Sequence, residues 1–147
     1  MILKKGNIIA LILAVGLMIG CNDRSKQSEK QNLPTAGEAA NNPTTVKIID
    51  STYNFGKVTD GEKVVFSYRF INSGDHPLVI SAANASCGCT VPERPEQPIA
   101  PGETGYIKVV FDSKGRVGPV VKEVHVSSNA KPDFPTLILK GEVAPQQ

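Results

Sequence analysis

The chain has 147 residues, of which 40% are hydrophobic, enough for one modest core and too little for two. Of its 16 Lys and Arg, Lys4 and Lys5 precede Cys21, and the remaining 14 balance all 14 Asp and Glu, so the part from Cys21 onward is neutral. That balance excludes a basic footprint for nucleic acid and a polybasic patch for lipid headgroups.

Residues 1–20 read as an address. Lys4 and Lys5 form a short basic start, and Ile8 to Ile19 (IIALILAVGLMI) is an unbroken apolar run ending at Gly20-Cys21. A bilayer span needs about 20 apolar residues, whereas a signal-peptide core needs only about 7–15, which favours a signal peptide over an uncleaved anchor. A cysteine directly after a small residue resembles the lipobox of bacterial lipoproteins, although Met18 and Ile19 stand where that pattern usually has Leu and a small residue. The resemblance implies a diacylglycerol thioether on Cys21, cleavage before it and acylation of the new amino terminus. Several acyl chains would hold the protein at a membrane far more durably than one.

Residues 21–45 change in composition. From Asn22 to Thr45 the sequence is charges, amides, Ser, Thr, Pro and Gly with Leu33 as its one large apolar side chain. Such a stretch cannot bury enough surface to offset its ordering entropy, so it is expected to be a disordered linker that gives the following domain reach.

Residues 46–143 change again and hold all eight aromatic residues. Val64-Phe66-Tyr68-Phe70 and Ile107-Val109-Phe111 alternate with the residues between them, the period of a half-buried strand. Further strands are expected at Val46–Asp50, Leu78–Ala83, Ser86–Val91, Val120–Ser127 and Thr136–Val143. They are separated by turn residues at Asp60-Gly61, Asn72-Ser73-Gly74, Pro101-Gly102, Lys114-Gly115 and Asn129 to Pro132. No segment carries a helical pattern. About seven short strands in roughly a hundred residues predict an all-β, immunoglobulin-like β-sandwich, with a small barrel as the alternative; residues 144–147 are expected to be a disordered tail. The expected core is Phe55, Val64, Phe66, Tyr68, Phe70, Ile80, Ile107, Val109, Phe111, Val124, Leu137 and Leu139.

The order of motifs carries a family resemblance. Tyr53-Asn54-Phe55-Gly56-Lys57-Val58, Gly61-Glu62, Phe70 to Ile80 (FINSGDHPLVI), Ala85-Ser86-Cys87-Gly88-Cys89-Thr90-Val91-Pro92 and Ile99-Ala100-Pro101-Gly102-Glu103 together resemble domain of unknown function 1573. Ser-Cys-Gly-Cys-Thr is the most specific of these elements. The resemblance covers nearly all of residues 46–143 and implies a hydin-type immunoglobulin-like domain of a secreted or lipid-anchored bacterial protein, often of the Bacteroidetes. It implies no activity, since fold does not deliver function.

Catalytic signatures are scarce. His76 lies in a turn before Pro77, and His125 alternates with Val124 and Val126 along a strand. There is no two-histidine metal-binding helix motif, nucleophile elbow or glycine-rich phosphate loop. Glu93 and Glu96 are close in the loop PERPEQPIAPG, where Arg94 and the prolines favour solvated charges over a paired-acid site.

Cys87-Gly88-Cys89 is the one constellation with chemical character. In an extended strand, residues two apart share a face, which would set both sulfurs side by side with end Cα atoms about 6.5–7 Å apart, at the limit of disulfide geometry. The sequence therefore predicts close neighbours without an ordinary stable disulfide. Two packed thiols come first, and a site for a soft ion such as Cu(I) second. A disulfide is left open through a bend at Gly88.

Two functions from different classes follow. The first is a lipid-anchored envelope module without catalytic activity or cofactor, whose strand edges and end loops contact a protein or a glycan. The second is a thiol-dependent redox or copper-handling protein centred on Cys87 and Cys89. Residues Asn22 to Lys26 lack the acidic cluster that resembles a surface-export signal in Bacteroidetes lipoproteins, so the expected location is a membrane-anchored, periplasm-facing one.

Overall fold

Alternating side chains in two central strands decide the architecture. In the computed structural model, which describes residues 41–147 together with Gly37, Lys63–Asn72 and Thr104–Asp112 pair antiparallel from Lys63↔Asp112 to Ile71↔Thr104. Every second residue of this ladder points to one side, and Val64, Tyr68, Phe70, Ile107, Val109 and Phe111 are buried there.

Eight strands are present among the described residues. They are β1 (Val46–Ile48), β2 (Thr52–Thr59), β3 (Lys63–Asn72), β4 (Ile80–Ala85), β5 (Thr90–Glu93), β6 (Thr104–Asp112), β7 (Gly118–Ser128) and β8 (Leu137–Ala144). One sheet runs β1-β3-β6-β5 and the other β2-β8-β7-β4, and the apolar faces of the two pack into a sandwich, as the sequence predicts. The expected signal peptide, Cys21 and most of the expected linker lie outside the described residues. Ordered packing begins earlier than the expected boundary: Thr44 is buried and exchanges backbone hydrogen bonds with Asn129 and Lys131. At the other end, β8 runs to Ala144 and Gln146 Nε2 donates to the Asp60 carbonyl at 2.9 Å.

The extra strand is β2, which pairs with β8 in parallel. Its ladder is interrupted between Asn54 and Lys57, where Gly56 takes a φ of 71°, a left-handed conformation that favours glycine. Phe55 packs beside this break over Gly141 of β8, where any Cβ would collide with its ring. The strand expected at Ser86–Val91 is instead two features, because β4 ends at Ala85, the chain turns, and β5 begins at Thr90.

Ten of the twelve expected core residues are buried, and Phe55 and Phe66 are half-buried. Both sit where a sheet has an open side. β2 is an edge strand, and β1 is so short that it pairs only with Phe70 to Asn72 of β3, leaving Phe66 without a neighbouring strand on that side. Phe66 instead stacks on Tyr53 of the opposite sheet, ring centroids 3.8 Å apart, and meets Tyr68 edge-on at 4.9 Å. The Tyr68 hydroxyl donates to the Ile138 carbonyl at 2.7 Å, also linking the sheets. Burial, and secondarily the Tyr53 phenol, push its pKa well above the ordinary range, so it remains a neutral donor.

Candidate functional site: the cysteine turn and the outer face of the first sheet

Local backbone bonds make the cysteine segment a turn. Thr90 N donates to the Cys87 carbonyl at 3.2 Å, closing four residues, while Ser86 N is held by the Glu123 carbonyl and the Cys89 carbonyl by Asp112 N. The turn brings the Cα atoms of Cys87 and Cys89 to 5.4 Å, and the two sulfurs are joined as a disulfide. This corrects the expectation of two unbonded thiols. That expectation assumed an extended strand, and a turn removes the distance that disfavoured the bond. Soft-metal ligation needs thiolates, which bonded sulfurs do not supply. Among the described residues, no group of three or more His, Cys, Asp and Glu side chains is placed to hold a metal ion.

The turn borders the core. Cys89 is buried in the cluster of Val64, Phe111, Val120, Leu139 and Val143, and Cys87 packs at its margin, half-buried. Thr90 is buried too, and its Oγ1 lies 3.7 Å from the Cys87 sulfur and 3.8 Å from the Cys89 sulfur. Disulfide sulfurs carry no hydrogen, so the hydroxyl is the donor. Gly88 is exposed, and a Cβ there would meet nothing within 4 Å, so the space over the turn is open.

The second feature lies on the solvent side of the first sheet. Val65, Val110 and Val91 are register partners on β3, β6 and β5, forming one row across three strands. Val65 and Val91 are 54% and 56% exposed, with Val110 half-buried between them. The next row is Ser67, Lys108 and Glu93, with Lys108 Nζ 3.1 Å from a Glu93 carboxylate oxygen, and exposed Tyr106 follows beside Arg69. Arg69 in turn forks onto Asp50 at 2.7 and 3.2 Å, and these hydrogen bonds hold the Asp50 carboxyl below its usual range. The outer face of the second sheet is more polar, presenting Glu123, His125, Ser127, Lys140 and Glu142 around exposed Val121 and half-buried Ile138.

Of the remaining candidates, Glu93 is ion-paired with Lys108 and lines the same open cleft as Glu96. Arg94 Nη1 donates to the Ile80 carbonyl at 2.9 Å, pinning the Pro-rich loop, which with Tyr106 and Lys108 lines an open cleft of about 500 Å³. His76 is exposed, and His125 lies on the outer face 3.7 Å from Glu123 and 3.4 Å from Thr136 Oγ1. Sequence reasoning missed the valine row because each of its members reads as an ordinary strand residue. The signal was there in Val65 and Val110, outward by parity in β-strands otherwise recognised correctly.

Residues 46–143 match the family described as "Protein of unknown function (DUF1573)", and the chain belongs to that family. The fold is similar to a crystal structure of a protein of unknown function from Porphyromonas gingivalis W83, with a TM-score of 0.59 and 14% identity, covering 70% of this chain and 48% of that one. The chain thus spans about half the length of that relative. It is also similar to the ASH / PapD-like domain of human CEP192, with a TM-score of 0.50 and 14% identity, covering 71% of this chain and 89% of that one. These likenesses concern the fold alone. No curated protein matches the sequence.

Proposed function

We propose that the chain is a lipid-anchored, periplasm-facing binding module of the bacterial envelope that docks a partner protein on the outer face of its first sheet. The observation that carries this reading is the exposed Val65-Val110-Val91 row, an apolar strip bordered by the Lys108–Glu93 pair. An apolar patch rimmed by polar groups marks an interaction surface, and three aliphatic side chains offer a sugar no hydrogen bond, which favours a protein over a glycan. Anchoring rests on the apolar run before Gly20-Cys21.

Two tests follow. A photo-crosslinking residue placed at Val65 or Val91 in cells should trap one adduct of constant size, and the same residue at Val121 should not. Equal labelling at all three positions, or none, overturns the docking face. Replacing Cys21 with Ser should abolish both lipid labelling and signal-peptide processing at that site; unchanged labelling ends the anchored reading.

A further inference from the structure

The Cys87–Cys89 bridge does little for stability. It closes a loop of only three residues, so it removes little freedom from the unfolded chain, whereas disulfides that stabilise by that route close long loops. The turn is also held without it, through the backbone bonds from Thr90 to Cys87, from Asp112 to Cys89 and from Ser86 to Glu123. A bond that the fold does not need, with one sulfur at the core margin and open space above Gly88, has the layout of a reactive pair.

We propose that Cys87–Cys89 is a thiol–disulfide exchange site that oxidises a dithiol on another protein, with Cys87 as the attacked sulfur and Thr90 as a positioning residue for the leaving group. A partner thiolate attacks Sγ of Cys87, the more accessible sulfur, and the S–S electron pair passes to Sγ of Cys89. A mixed disulfide then joins Cys87 to the partner. The partner's second thiolate attacks its own sulfur in that mixed bond, closing the partner's disulfide and releasing Cys87. Two electrons have moved to this chain, and the two protons lost by the partner's thiols are taken up by Cys87 and Cys89. The difficult moment is charge appearing on buried Cys89, because burial disfavours a thiolate. The Thr90 hydroxyl lies 3.8 Å from that sulfur, buried beside it, and turns from a weak donor to a disulfide into a charge-assisted donor to a thiolate. Thr90 itself is fixed opposite Phe111 on β6.

The test uses the full chain equilibrated against glutathione buffers, with alkylation counted on the peptide carrying both cysteines. The pair should pass from oxidised to reduced within the glutathione range, and circular dichroism should show the same fold in both states. Cys89→Ser should accumulate a mixed disulfide at Cys87, whereas Cys87→Ser, with its remaining thiol buried, should not. Thr90→Val should slow exchange about tenfold, the weight of one hydrogen bond to a charged sulfur, and Thr90→Ser should restore it. A pair that stays oxidised in excess reduced glutathione, a fold lost on reduction, or equal trapping by both cysteine variants overturns the proposal. None of these outcomes depends on the valine row.

Discussion

Truncating Phe111 to Ala is expected to cost about 3–5 kcal/mol, a large share of the roughly 5–15 kcal/mol that holds a small domain folded. Phe111 is fully buried, and its ring packs within the cluster of Val64, Cys89, Val120, Leu139 and Val143 at 5.8 Å from the Phe55 ring centroid. The surrounding groups come from both sheets, with Val64 and Thr90 fixed as its register partners on either side, so the site has little freedom to collapse into the space left behind. Phe66→Ala provides the internal comparison. Its ring is half-buried on the open side of β3, and its loss should cost about 1–3 kcal/mol, since less of its surface leaves water on folding. Denaturant unfolding of the two variants against the parent measures both. A Phe111→Ala loss below about 1 kcal/mol, or one smaller than that of Phe66→Ala, would mean that the inward face has been assigned to the wrong residues.

What could be read from the sequence follows from how local each signal is. The alternation in Val64 to Phe70 and Ile107 to Phe111, broken by Val65 and Val110, gives both strand and face, because at period two the bulkier apolar residues fall on one side. β2 escaped because its apolar residues Tyr53, Phe55 and Val58 lose their spacing at the Gly56 break, and because its partner β8 lies about 85 residues away in parallel register, for which no local pattern exists. The half-burial of Phe66 was equally out of reach, being set by the length of β1 rather than by anything near Phe66. At the cysteines, the residues were identified correctly and their conformation was not. The β-branched Thr90-Val91 at the end of the segment suit a strand, and the chain turns before them through the bond from Thr90 N to the Cys87 carbonyl, with the segment held by Glu123 and Asp112 on distant strands that no local pattern reveals.

Asn72 is the clearest case of a residue whose position was legible and whose role was not. It continues the inward series Val64, Phe66, Tyr68, Phe70, yet in sequence it reads as the first residue of an Asn-Ser-Gly turn. Its side chain is completely buried and joins three segments: Oδ1 accepts from Thr44 Oγ1 at 2.9 Å and from Gly74 N at 3.2 Å, while Nδ2 donates to the His76 and Ile99 carbonyls at 2.8 and 2.9 Å. Asn72→Ala removes four bonds and leaves buried partners unpaired, so the expected loss is about 3–5 kcal/mol, more than the deleted atoms alone would give. Asn72→Asp separates this network from simple packing. It keeps the size of the side chain and the acceptor, but directs a carboxylate at two carbonyls that had been receiving hydrogen bonds. Desolvation and those carbonyls must raise its folded-state pKa above the unfolded value of about 3.9, so the native state holds the proton more tightly. With the folded pKa raised, the stabilising share from protonation is present in full below about pH 3.9 and is lost as pH climbs through the folded value. Asn72→Asp should therefore lie closest to the parent at pH 4, where its single carboxyl proton replaces one of the two donated bonds, and fall furthest below it at pH 7, measured as the difference in unfolding free energy at the two values. A difference from the parent that does not change between pH 4 and pH 7, or an Asn72→Ala loss under about 1 kcal/mol, would show that the three segments are held together by something other than this amide.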